Sequence, residues 1–94
     1  MTLGETIRNK RIELNNSQKE LASILGVNYS FICKVEKNEK IISLDKLQKI
    51  ALFLSLDFNE LKVLFYCDKI RNLVKEESCE LQYQIYSNLN SNNE

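Results

Sequence analysis

Apolar residues recur along this chain at spacings of three and four, the period that stacks side chains on one face of an α-helix. Leu3, Ile7, Ile12 and Leu14 form the first such face, and Leu21, Ala22 and Leu25 the second. Ile32 and Val35, with Phe31 at the edge, form a third; Leu44, Leu47, Ile50, Ala51 and Leu54 a fourth; Phe58, Leu61, Leu64 and Phe65 a fifth. The predicted fold is therefore all-α, with five short helices in the first two thirds of the chain.

The polar residues between these faces predict where each helix starts and stops. Thr2 with Glu5 and Ser17 with Glu20 have the S/T-x-x-E spacing in which two side chains satisfy amides that a helix start leaves unpaired. Asn28, Ser43 and Asp57, the last with Glu60, are further candidate caps. Asn15-Asn16 ends the first helix, Gly26 suits a left-handed turn after the second, and Asn38 ends the third, which is predicted over 29–37. Beyond these, Ile70, Leu73, Val74, Leu81, Ile85 and Leu89 predict one more helix over 68–89, interrupted by Glu76-Glu77-Ser78. Ser87 to Glu94 is mostly Ser and Asn and is expected to fray. The predicted organisation is a compact domain over 1–67, a helical extension over 68–89 and a disordered tail over 90–94.

With 94 residues, 44% of them apolar, the chain has material for one core and no second domain. The absence of proline and the presence of only two glycines fit helices joined by short connections. No apolar run reaches the roughly 18 residues of a membrane span, and no secretory signal pattern opens the chain, so a soluble, cytoplasmic protein is expected. Cys33, Cys67 and Cys79 are odd in number and irregular in spacing, which predicts reduced thiols. Without histidine or a C-x-x-C pair, neither a zinc site nor an ordinary serine or cysteine relay can be assembled. No Gly-rich phosphate loop occurs either, so no metal, no cofactor and no enzyme activity are expected.

Thirteen basic residues balance thirteen acidic ones, but unevenly. Residues 1–50 carry nine Lys or Arg against six Asp or Glu, and the remainder four against seven. An anion-binding amino-terminal part is compatible with this asymmetry, as are ordinary solvated helix faces. The arrangement over 17–37 is more specific: two short helices, a tight turn containing Gly26, small Ala22 where they cross, and a second helix whose outer face is polar and cationic. That is the pattern of a helix-turn-helix, although a helical hairpin in an unrelated bundle would share it.

Several linked features extend the pattern: Leu-Gly-Glu-Thr-Ile-Arg-Asn-Lys-Arg at 3–11, Ser-Gln-Lys-Glu-Leu-Ala at 17–22, Leu-Gly-Val at 25–27, Ile32, Val35-Glu36, and Ser43-Leu44 through Ile50-Ala51. Together they resemble the phage-repressor family of helix-turn-helix proteins, the lambda repressor, Cro and XRE-type regulators, over about residues 3–65. The resemblance implies double-stranded DNA as partner, with Tyr29, Ser30 and Lys34 reaching base edges in the major groove. It implies contacts to the DNA backbone from Gln18, Asn28, Lys37, Asn38, Lys40 and Ser43, and a structural ion pair between Arg11 and Glu36. The chain departs from the family where Asn38-Glu39 replaces a glycine and a basic residue, where Ile41-Ile42 occupies a region often containing proline, and where Asn16 replaces an apolar residue.

One such domain reads about half a turn of groove, so the resemblance further implies a homodimer on a palindromic operator. Phe58, Leu61 and Phe65, with Ile70, Leu73, Leu81 and Ile85 of the extension, are the candidate interface; folding of the extension back onto its own domain is the alternative. Controllers of restriction-modification genes share this short format. The competing function is a protein-binding module, such as an antitoxin or accessory subunit, favoured by the acidic extension and neutral total charge.

Overall fold

The computed structural model describes residues 1–91, and among them six α-helices and no strand: α1 (Leu3–Glu13), α2 (Gln18–Leu25), α3 (Tyr29–Glu36), α4 (Leu44–Leu54), α5 (Phe58–Leu73) and α6 (Cys79–Ser91). The local chemistry of the starts is as the sequence predicts. Thr2, Ser17, Ser43 and Asp57 each accept from the amide three residues on, and Glu20 completes the reciprocal box by accepting from the Ser17 amide. Gly26 and Asn38 adopt left-handed backbone with φ of 67° and 63°, closing α2 and the turn after α3. Asn28 sits at the start of α3 in extended backbone, but its side chain caps nothing.

The core is one cluster drawn from all of the first five helices. Ile7, Leu21, Ile32, Ile42, Leu47, Ile50, Leu54 and Leu61 are its largest fully buried members. α2 packs on α3 and α4, and α1 crosses α3, α4 and α5. The face of α1 differs from the predicted one: Ile12 and Leu14 are exposed, and the inward positions after Leu3 and Ile7 pass to Arg11, a further turn along. Ile42, between α3 and α4, enters the core while Ile41 stays outside, so the stretch lacking proline is held by burial of one side chain.

The first turn of α1 is tied to three separate places. Its opening amides, on Leu3, Gly4 and Glu5, donate to Asp68 Oδ2 (3.3 Å), Asn38 Oδ1 (3.1 Å) and Thr2 Oγ1 (3.2 Å). Gly4 is required for this approach: a Cβ there would lie 2.6 Å from the Val35 carbonyl oxygen and 2.7 Å from that of Glu36. The amino end of α1 therefore closes directly against the last carbonyls of α3, an arrangement that also opposes the two helix dipoles favourably.

The predicted extension is differently built. The separate helix over 68–89 does not form; α5 continues through residue 67 to Leu73, the chain breaks at 74–78 across the polar Glu76-Glu77-Ser78, and α6 follows. Helix continues where the sequence suggested a boundary because Asp68 is recruited by the Leu3 amide, so α5 has a tertiary reason to persist. Gln82 Nε2 donates to the carbonyls of Val74 and Glu77, turning α6 back alongside the end of α5 across a cleft of about 360 Å³. Of the tail expected over 90–94, Asn90 and Ser91 continue α6, and residues 92–94 lie outside the described residues.

Candidate nucleic-acid interface

α2 and α3 meet at a turn of three residues, Gly26, Val27 and Asn28, where the Val27 amide donates to the Ala22 carbonyl at 3.0 Å. Nothing lies within 4 Å of the position a Gly26 Cβ would take, so the left-handed backbone alone selects glycine here. Ala22 is buried between the helices. With Ile32 and Val35 directed into the core, the opposite face of α3 is fixed as its outer face, and Tyr29, Ser30 and Lys34 all lie exposed on it. Lys37 and Lys40 continue the exposed cationic surface beyond the helix, which ends at Glu36 and not at Lys37 as predicted.

Behind this face lies a buried charged centre. Arg11 donates from Nε to Glu36 Oε2 at 2.7 Å and from Nη2 to Oε1 at 3.0 Å, a forked pair joining α1 to the end of α3. The Glu36 side chain is only 1% exposed. Arg11 Nη1 also donates to the Asn16 carbonyl at 2.9 Å, so the polar Asn16 is tolerated because its backbone, not its side chain, serves the centre. Gln18 Nε2 donates to Glu36 Oε1 at 2.9 Å, bringing the start of α2 to the same carboxylate.

Gln18 also accepts at Oε1 from Cys33 Sγ, at 3.2 Å. Cys33, expected as a reduced thiol, is half-buried and joins this network; its place on α3, one turn before Lys37, was visible in the sequence but its partner was not. The phenol of Tyr29 lies on the same side, and hydrogen bonding and Coulomb interaction with Cys33 hold the phenol pKa above the usual range, with Arg11 opposing.

Two groups of expected site residues are placed elsewhere. Asn38 holds a structural bond at each end of its side chain: Oδ1 accepts from Gly4, Nδ2 donates one proton to Thr2 Oγ1 at 2.9 Å, and its backbone amide donates to Val35. It is a clasp on α1. Leu61 and Phe65, expected at an interface, are 1% and 4% exposed within the protein's own core, and Phe58 packs against that core. Lys62 and Lys69 lie over the rings of Phe58 and Phe65 at 4.7 and 4.8 Å. Ser43 uses its hydroxyl oxygen to cap α4, leaving its proton free.

This geometry is matched by known proteins. Residues 7–61 fit the family model for helix-turn-helix proteins. The chain belongs to the helix-turn-helix family. It is of the phage-repressor, XRE type, a family of DNA-binding regulators. Over 61 residues it is 34% identical to the ImmF control region 10 kDa protein of Bacillus phage phi105, an alignment covering 65% of this chain and 68% of that protein. The crystal structure of the restriction-modification controller protein C.AhdI from Aeromonas hydrophila is similar at 30% identity and a TM-score of 0.57, over 63% of this chain and 89% of that one. A chain of the SinR–SinI protein complex shares the fold along almost its whole length, with a TM-score of 0.58 over 96% of this chain and 95% of that chain at 21% identity. The helix-turn-helix reading is therefore correct for α2 and α3, and the five-helix domain with a further carboxy-terminal helix is the family's repressor-like architecture.

Proposed function

We propose that this helix-turn-helix protein is a sequence-specific transcriptional regulator that binds an inverted repeat in double-stranded DNA as a homodimer. The observation that carries the proposal is the exposed row Tyr29, Ser30 and Lys34 on a helix whose other face is locked by Ile32, Val35 and the Glu36 centre. Lys34 donates to guanine O6 and N7, Tyr29 packs on a thymine methyl or reaches a phosphate, and Ser30 adds a hydrogen bond with little base preference. Gln18, Asn28, Lys37, Lys40 and Ser43 hold the sugar-phosphate strand, with Glu39 limiting how closely the loop approaches.

The dimer is formed by the arm of α5 and α6, through Ile70, Leu73, Leu81 and Ile85. Leu73 is 81% exposed and Leu81 40%, apolar surface that the platform does not use. Likeness to a phage control-region protein and to a restriction-modification controller supports a role at a short regulatory locus of that kind. The same exposed arm favours the second reading, in which a different protein covers α6.

Selection of bound duplexes from random DNA, followed by a salt titration, tests the proposal. An inverted repeat is expected, with a log-log salt slope of about −0.9 per phosphate neutralised. Lys34→Ala should relax preference at one base position, costing about 1–3 kcal/mol there, whereas Gln18→Ala should weaken all sequences evenly. Enrichment of no duplex at low ionic strength overturns the reading, and recovery of a stoichiometric unrelated polypeptide in place of a dimer favours the second.

A further inference from the structure

We propose that Cys33 is a positioning residue for DNA recognition, its thiol holding the Gln18 side-chain amide in the one orientation that leaves an N–H free for a phosphate. The inference rests on the DNA interface proposed above. Its basis is the order of donors and acceptors around Glu36. The Glu36 carboxylate only accepts, and Arg11 already engages both of its oxygens, so Gln18 must present nitrogen to it, as the 2.9 Å contact from Nε2 to Oε1 records. That choice sends Gln18 Oε1 to the opposite side, where Cys33 Sγ lies at 3.2 Å. An amide oxygen also only accepts, so the proton between these two atoms is the thiol's.

With both ends held, one of the two Nε2 protons is used by Glu36 and the other has no acceptor among the described residues. Gln18 is half-buried at the start of α2, so its side chain keeps access to solvent there. Removing the thiol frees the oxygen end, and the amide then turns about its terminal bond, spreading the free donor over several directions. Tyr29 lies one turn earlier on α3, at the spacing that places it beside Cys33, so Cys33 stands between the residue proposed to hold a phosphate and one proposed to meet the bases. Serine at this position keeps a proton to donate, and the flexible Gln18 stem takes up its shorter reach; alanine and valine supply none.

The test compares the full chain with its Cys33→Ser, Cys33→Ala and Cys33→Val variants, alone and with Gln18→Ala, on the duplex selected above. Affinity should fall about threefold to tenfold in Cys33→Ala and Cys33→Val, the span of one hydrogen bond, and return to within about twofold in Cys33→Ser. In Gln18→Ala protein, Cys33→Ala should add nothing. The Gln18 side-chain NH2 pair, followed by NMR without DNA, should be displaced from the position of exposed glutamines in the wild type and in Cys33→Ser, and return to it in Cys33→Ala. Valine filling the space with full affinity, or additive losses in the double variant, overturns the inference. An NH2 signal indifferent to Cys33→Ala overturns it whether or not DNA is bound; a displaced signal in a protein that binds no duplex overturns the DNA reading beneath it.

Discussion

The platform made by α1 to α4 and the first half of α5 and the arm made by the rest of α5 and α6 use similar residues to different ends. Phe65 is the last buried residue among those described, so every core side chain belongs to the platform, while Leu73, Tyr83 and Leu89 on the arm remain in water. The shape agrees: the Cα radius of gyration is 14.8 Å and the long axis 41 Å, whereas a compact globule of this length has a radius of roughly 12 Å. Two ion pairs make the same contrast. Arg11 and Glu36 are enclosed and share their charges with Gln18 and Asn16; Arg71 and Asp68, at 2.9 Å on one exposed face of α5, are half in solvent. The platform holds its shape by polar groups enclosed among their partners, whereas the arm, beyond the Asp68 bond to the Leu3 amide, relies on local bonds that water can replace.

The strongest way to break this comparison is to remove one member of each pair. Glu36→Ala leaves a guanidinium in the interior without its carboxylate and should destabilise the protein by about 3–5 kcal/mol in urea unfolding. Arg71→Ala, in the arm, should cost less than about 1 kcal/mol. Equal losses would mean that the arm is as tightly integrated as the platform. Next in size is Gly4→Ala, whose new methyl meets two backbone carbonyls that cannot rotate away. We expect a loss of about 1–3 kcal/mol, read as a lower thermal midpoint, because the end of α1 must lift off α3.

A smaller effect separates the two regions by their helix caps. Ser43 accepts from the Lys46 amide at the start of α4, and Ser78 from the Leu81 amide at the start of α6. Ser43→Ala should lower global stability by about 1 kcal/mol. Ser78→Ala should reduce helical circular dichroism without moving the platform's unfolding midpoint, since α6 opens independently of the core. A shift of the global midpoint by Ser78→Ala would sink that separation.

What could be read beforehand divides along similar lines. Caps at Thr2, Ser17, Ser43 and Asp57 and the left-handed stops at Gly26 and Asn38 were legible because each is decided within about four residues. The outer face of α3 was legible because Ile32 and Val35 fix the inner one. Features decided by distant partners were not. Arg11 takes a core position that apolar periodicity assigns to its neighbours; periodicity alone missed it, whereas the resemblance to the family named the pair with Glu36, 25 residues away, that satisfies its charge. Asn38 was read as a stop and a ligand to phosphate, and its bonds to Gly4 and Thr2, which tie α1 to the turn after α3, were not foreseen. α5 outruns its apparent end because residue 68 is claimed by residue 3. Cys33 carries no signal in the sequence that distinguishes a solvent-facing thiol from one aimed at Gln18; the resemblance to the family indicated Gln18 but not this partner.

The smallest expected change in platform stability comes from the largest deletion. A chain ending at Lys75 keeps every buried residue among those described, the Asp68 bond to α1 and the whole of α5, and loses α6 together with the two Gln82 bonds. Its helical core should unfold cooperatively, within about 0.5 kcal/mol of the dissociated full chain. The arm's apolar face, in contrast, is lost as a docking surface. Sedimentation at micromolar protein should therefore show a dimer for the full chain and a monomer for the shortened one, and only the full chain should gain thermal stability as its concentration rises. A shortened chain that remains dimeric would move the interface onto the platform, to exposed residues such as Leu52 or Val63. A shortened chain that loses cooperative unfolding would instead make α6 part of the fold, and the distinction between platform and arm would fall with it.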